Sequence, residues 1–176
     1  MKKLLYLFLV LPLVFSSCKK EEDKVQGCTD SAATNYSSNA NEDNGSCLYS
    51  ITGCWEWQTG TVNGTDVFSA SGGMTDVVLY FWDDGSYGVE YYVPGGLAMY
   101  DLGTYSLSAN QTSMSTVSDT YQNTGNGFAL VGSSETALNI SKFNSNEFDG
   151  GWDDNDGVGI FTSTKSSTYF LGNWKK

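Results

Sequence analysis

Hydrophobic and polar positions fall into four successive regimes along this chain. From Leu4 to Phe15 the residues are uncharged and predominantly apolar, behind a positive pair at Lys2 and Lys3. That run is well short of the roughly 20 residues needed to cross a bilayer, so residues 1–17 read as a signal peptide rather than a membrane span. The stretch Lys19-Lys20-Glu21-Glu22-Asp23-Lys24 then offers nothing apolar to pack, and residues 18–26 are expected to form a solvated tether. Residues 27–48 are rich in Asp, Asn, Ser and Gly and hold almost no apolar surface, which marks a small separate module. From Ile51 onward, short apolar alternations are cut by turn sequences at about ten-residue spacing, the pattern of successive hairpins.

Within that last regime the alternation predicts individual strands. Ile51 to Val62 reads as the first, ended by Asn63-Gly64, a strong type I′ hairpin signal. After a loop at residues 69–75, Asp76 to Trp82 and Ser86 to Val93 form the clearest hairpin, turned by Asp83-Asp84-Gly85. In its first arm Val77, Leu79 and Phe81 share one face while Val78, Tyr80 and Trp82 share the other, so both faces are apolar and the strand is expected to be central. Tyr87, Val89 and Tyr91 share one face of the partner arm. Pro94-Gly95-Gly96 turns the chain into Leu97 to Ser108, and Thr112 to Tyr121 alternates with a mostly hydroxylated face that is expected to be more exposed. Asn123 to Gly127 reads as loop. Thr136 to Phe143, Glu147 to Trp152 and Val158 to Thr164 complete the set, joined at Asn144-Ser145-Asn146 and across Asp153 to Gly157. No window carries a helical period, so the chain is predicted to be all-β, an antiparallel meander. Residues 51–176 are enough for one hydrophobic core and too few for two.

Composition sharpens this picture. The chain has 20 Gly, only 2 Pro and 14% aromatic residues, as expected for short strands joined by tight turns. Its formal charge is −11, and more negative still without the two leader lysines, which disfavours nucleic acid and anionic lipid surfaces as partners. There is no His, and every basic residue is a Lys, so the usual general base and the bidentate phosphate clamp are both missing. Glu56 and Glu90 are the acids placed in strands that could make a glycosidase-like pair, but no motif supports catalysis and the chain is read as a non-enzyme. Asp153, Asp154 and Asp156 lack calcium-loop spacing and read as turn residues.

Four stretches carry resemblances. Phe15-Ser16-Ser17-Cys18, ending the apolar leader, resembles a bacterial lipoprotein signal, although Phe15 stands where an aliphatic residue is usual. The resemblance implies cleavage before Cys18 and acylation, including palmitate-type chains, at that cysteine. The Lys-acidic run behind it resembles the export signal of Bacteroidota surface lipoproteins, which implies an outer-membrane location facing the cell exterior. Gly27 to Cys47 closely resembles a module of secreted and surface Bacteroidota proteins, GCTDxxAxNYxxxAxxDxGSC, departing from it at Ser31 and Asn44. So small a unit has almost no core, and a Cys28–Cys47 disulfide is its expected staple, contributing roughly 3 kcal/mol by loop closure. Asp30, Asn35 and Asp43, with Asn39, Glu42 and Asn44, could supply oxygen ligands to calcium, or serve simply as turn formers. That pairing leaves Cys54 odd, expected as a buried free thiol.

The fourth resemblance covers residues 51–165. Gly53-Cys54-Trp55, the Asn63-Gly64 turn, Leu79 to Tyr87 and Gly103 to Ser108 look like the small lipocalin-like domains of Bacteroidota lipoproteins. It implies a barrel of about eight strands whose interior is either filled by side chains or able to hold one small ligand. On that footing Val77, Leu79, Phe81, Tyr87, Val89 and Tyr91 are the expected ligand-lining residues. The chain is expected to be a membrane-anchored binding or accessory lipoprotein for a small apolar molecule, a glycan or an envelope protein, the alternative being a structural protein with a solid barrel.

Lipid attachment has a direct test. A fatty-acid analogue fed to expressing cells is expected to mark this protein, and Cys18→Ala is expected to abolish the mark. Label retained in the variant would contradict acylation at Cys18.

Overall fold

The computed structural model describes residues 23–69, 73–154 and 157–168. Cys18 and the leader lie outside these residues. Eleven strands and no helix occur among the described residues: β1 (Gln26–Gly27), β2 (Glu42–Asp43), β3 (Gly53–Val62), β4 (Thr65–Asp66), β5 (Asp76–Phe81), β6 (Ser86–Val93), β7 (Gly96–Leu107), β8 (Ser113–Asn123), β9 (Phe128–Phe143), β10 (Phe148–Asp154) and β11 (Gly157–Lys165). β1 and β2 pair with each other in parallel, within the N-terminal module. The other nine make one antiparallel sheet, in which β4 is a two-residue appendage to β3 and β11 returns to pair with β3. Eight strands therefore close into a barrel, the architecture the resemblance implied.

The turns that shape the barrel were legible in the chain. Asn63 and Gly64 both take positive φ, 51° and 77°, as a type I′ turn requires. β9 is the main departure from expectation, because it begins at Phe128 rather than Thr136. Residues 128–135 are exposed on both faces, so they carry no apolar alternation, yet they are held by backbone pairing to Gly132↔Thr120 and its neighbours on β8. β8 also departs from its expected exposure. Met114, Thr116 and Ser118 are buried while Val117 is 53% exposed beside the exposed Ser113 and Ser115, so hydroxyls stand on both faces and two of them point inward.

At the end of the barrel nearest the module, the interior is filled with rings. Trp55 and Phe148 are fully buried, and Phe148 meets Trp55, Phe81, Phe143 and Phe161 at centroid distances of 5.9, 5.9, 5.7 and 5.4 Å. These are largely edge-to-face contacts, the arrangement favoured by the ring quadrupoles. The Trp55 indole donates to the Ile51 carbonyl at 2.7 Å, and Ser163 donates to the Phe148 carbonyl, so the polar atoms within this plug are paired. On the outward side of β3, β5 and β6, Cys54, Val78 and Tyr80 form a second, smaller buried cluster. Tyr80 and Tyr92 both donate to Glu90, at 2.6 and 2.9 Å.

The module is stapled by a Cys28–Cys47 disulfide. Residues 23–26, within the tether expected over residues 18–26, are hydrogen-bonded to the module. Val25 exchanges hydrogen bonds with Asn41, whose side-chain amide also donates to the Asp23 carbonyl, and Lys24 meets Glu42 at 3.1 Å. Gln111 joins module to barrel, accepting from the Tyr49 backbone at 2.9 Å and donating to its carbonyl at 2.6 Å.

Two outcomes follow for stability and thiol chemistry. Phe148→Ala is expected to cost about 3–5 kcal/mol, against no more than about 0.5 kcal/mol for Val117→Ala, in urea unfolding. Equal midpoints for the two variants would contradict the plug. Burial, aided by the negative charges of Glu90 and Glu56, pushes the Cys54 thiol up to about 11. In a Cys18→Ser chain, Cys54 is therefore expected to resist a thiol reagent at neutral pH when native and to react as one equivalent in denaturant without reductant.

Candidate binding cavity

Beyond the plug, the barrel interior is hollow. A cavity of about 130 Å³ lies between two unlike walls. One is apolar and aromatic, made by Trp57, Leu79, Phe81, Val89, Trp152 and Phe161. The other is hydroxylated, with Thr116 and Ser118 from β8 facing Ser134 and Thr136 from β9. Asp101, Tyr87, Tyr91 and Leu138 complete the lining.

Local sequence explains each wall. β3 and β11 run side by side, so Trp57 stacks flat on Phe161 at 5.0 Å with an interplanar angle of 2°. Both Trp rings lie over glycines that leave room for them. A Cβ at Gly60 would come within 2.8 Å of the Trp57 ring, and one at Gly159 within 2.1 Å of the Trp152 ring. On the opposite side the inward positions of β8 and β9 carry small hydroxylated side chains, which line the interior without filling it. The bulges at Thr120/Tyr121 and at Tyr91/Tyr92 lie just beyond the cavity residues and bend the strands there.

The electrostatics of the cavity centre on Asp101. Tyr91 donates to its Oδ2 at 2.8 Å, and burial first, then the neighbouring negative charge, raises the Tyr91 hydroxyl well above its ordinary value. Tyr91 therefore stays protonated and remains a donor throughout the neutral range. Burial also raises Tyr87, a shift opposed by hydrogen bonds with Ser118 and Thr116. Two buried polar atoms have no hydrogen-bond partner among the described residues: Asp101 Oδ1 and Trp57 Nε1. Both belong to residues of this one cavity.

Of the residues expected to line a ligand site, Leu79, Phe81, Tyr87, Val89 and Tyr91 do stand on the cavity wall. Val77 faces the same interior and is buried in the same core cluster, but it does not reach the cavity. Sequence reasoning missed Asp101, the four hydroxyl residues, and the rings of Trp57, Trp152 and Phe161. Asp101 could have been found from strand parity alone, since Gly103 and Tyr105 set the inward side of β7 and Asp101 shares it.

The remaining candidates lie elsewhere. In the module, Asp30 Oδ1 accepts from the Ala32 amide at 2.9 Å and Oδ2 from the Tyr49 hydroxyl at 2.7 Å; these bonds, the backbone one foremost, lower the carboxyl. Asn35 bridges Leu48 and Ser46, and Asp43 accepts from the Gly45 amide. These side chains shape turns, and no group of three or more acid or cysteine ligands gathers among the described residues. Glu56 and Glu90 flank Val78 in register on the outward face, away from the cavity. Compared with known proteins, the chain matches no family model, no curated protein and no solved structure.

Proposed function

We propose that this protein is a lipid-anchored envelope protein of the Bacteroidota type, held at the outer membrane facing the exterior, whose barrel binds a small apolar molecule bearing a few polar groups. The single observation that carries the reading is the cavity of about 130 Å³, bounded by aromatic rings on one side and hydroxyls on the other. Small-ligand sites are concave and mostly apolar, with a few placed polar groups, and this interior fits that description. Size narrows the ligand class. A cavity of roughly 150 Å³ admits a single benzene ring, so the part of a ligand that enters this interior is of that scale. The leader, Cys18 and the acidic run support the membrane address.

Binding needs no chemistry beyond burial and hydrogen bonding, in keeping with a chain that has neither His nor Arg. Benzyl alcohol and indole are therefore expected to saturate the purified protein in ligand-observed NMR. Ser118→Leu, which places an isobutyl group in the cavity, is expected to abolish that saturation while the fold persists. Equal saturation in both proteins, or none in the native one, would move the reading to a structural protein with a functionally solid barrel.

A further inference from the structure

The two unpaired polar atoms of the cavity say more about its ligand than its shape does. Native proteins leave few buried polar atoms unsatisfied, because each costs about 1–3 kcal/mol, and those that remain call for an explanation. Here two occur together, a carboxylate oxygen and an indole N–H, each almost fully covered and each on a side chain that lines one hollow site. Resting on the binding function proposed above, we propose that the ligand is a small organic cation, an amine that pairs with the Asp101 carboxylate and whose apolar body lies against the rings.

Three features favour a cation over a neutral or anionic ligand. Asp101 is the one charged side chain on the cavity wall, and its other oxygen is already held by Tyr91, which fixes the free oxygen in place. Six of the wall residues, Trp57, Phe81, Tyr87, Tyr91, Trp152 and Phe161, are aromatic, and ring faces attract ammonium groups. A net charge of −11 draws cations toward the protein and repels carboxylates. A fatty acid would instead bring a second negative charge beside Asp101, with no basic side chain on the wall to offset it. Trp57 Nε1 asks for an acceptor, so a hydroxyl or ether on the same ligand would complete the set.

Three probes of one shape separate these possibilities: benzylamine, benzyl alcohol and benzoate, titrated by calorimetry into the full-length protein at neutral pH. Benzylamine is expected to bind roughly 10-fold more tightly than benzyl alcohol, the gain typical of a hydrogen bond to a charged group, and benzoate is expected not to bind. Asp101→Asn, close to isosteric, is expected to bring benzylamine down to the affinity of benzyl alcohol. Should that variant fail to fold, the native protein still decides. The amine preference is expected to survive about 0.5 M salt, which screens surface attraction but not a buried pair. Benzoate binding as well as benzylamine, a preference unchanged in Asp101→Asn, or a preference erased by salt would each overturn the cation assignment while leaving the hollow site intact. Failure of both benzyl alcohol and benzylamine to bind would overturn the binding function itself.

Discussion

Closure of the sheet through the seam between β3 and β11 is the constraint on which the rest of this structure depends. β3 follows the module and β11 is the last described strand, so the seam ties the two ends of the domain together. An open meander would leave two unpaired edges and set Trp55, Trp57, Phe161 and Ser163 at a wet margin. Paired, the same strands bring Phe161 flat onto Trp57 and let Phe148 reach both Trp55 and Phe161. The rings are buried because the barrel is closed, and their packing is what favours closure over an open sheet.

That closure divides the interior unequally. Near the module, Trp55, Phe81, Phe143, Phe148 and Phe161 interlock edge to face and exclude any ligand. Further along, the inward positions of β8 and β9 change from Met114 and Leu138 to Thr116, Ser118, Ser134 and Thr136, and side chains this small cannot span the barrel. A leucine at any of these positions would add packing, so the hollow is a property of the residues chosen and not of barrel size alone. Asp101 points the same way. A carboxylate with one oxygen unpaired lowers stability, and departures of this kind from the local rules of folding tend to gather at functional sites.

Much of this was readable from the chain, for reasons that can be stated residue by residue. The hairpin of β5 and β6 announces itself because one arm is a short continuous apolar run, the other is rich in Tyr and Val, and an Asp-Asp-Gly turn joins them. The Asn63-Gly64 turn follows from the positive φ both residues tolerate. The first half of β9 was hidden because residues 128–135 are largely exposed; backbone pairing with β8 holds them, helped by Ser133 donating to Asp119 and by the Phe128 ring against Tyr100. Half of the cavity was hidden for the opposite reason. Ser and Thr ordinarily signal exposure, yet Thr116, Ser118, Ser134 and Thr136 line the cavity. Nor does pattern reveal the order of residues 23–26, which rests on backbone and Asn41 hydrogen bonds and not on apolar packing.

The central claim is that one end of this barrel is an aromatic plug and the other a hollow edged by Asp101 and Trp57. A crystal structure at a resolution that shows ordered solvent tests it most directly. The account predicts solvent or ligand density touching both Asp101 Oδ1 and Trp57 Nε1, with none among Trp55, Phe143 and Phe148. A cavity closed by inward-turned rings, with both Asp101 oxygens paired to protein donors, would contradict it.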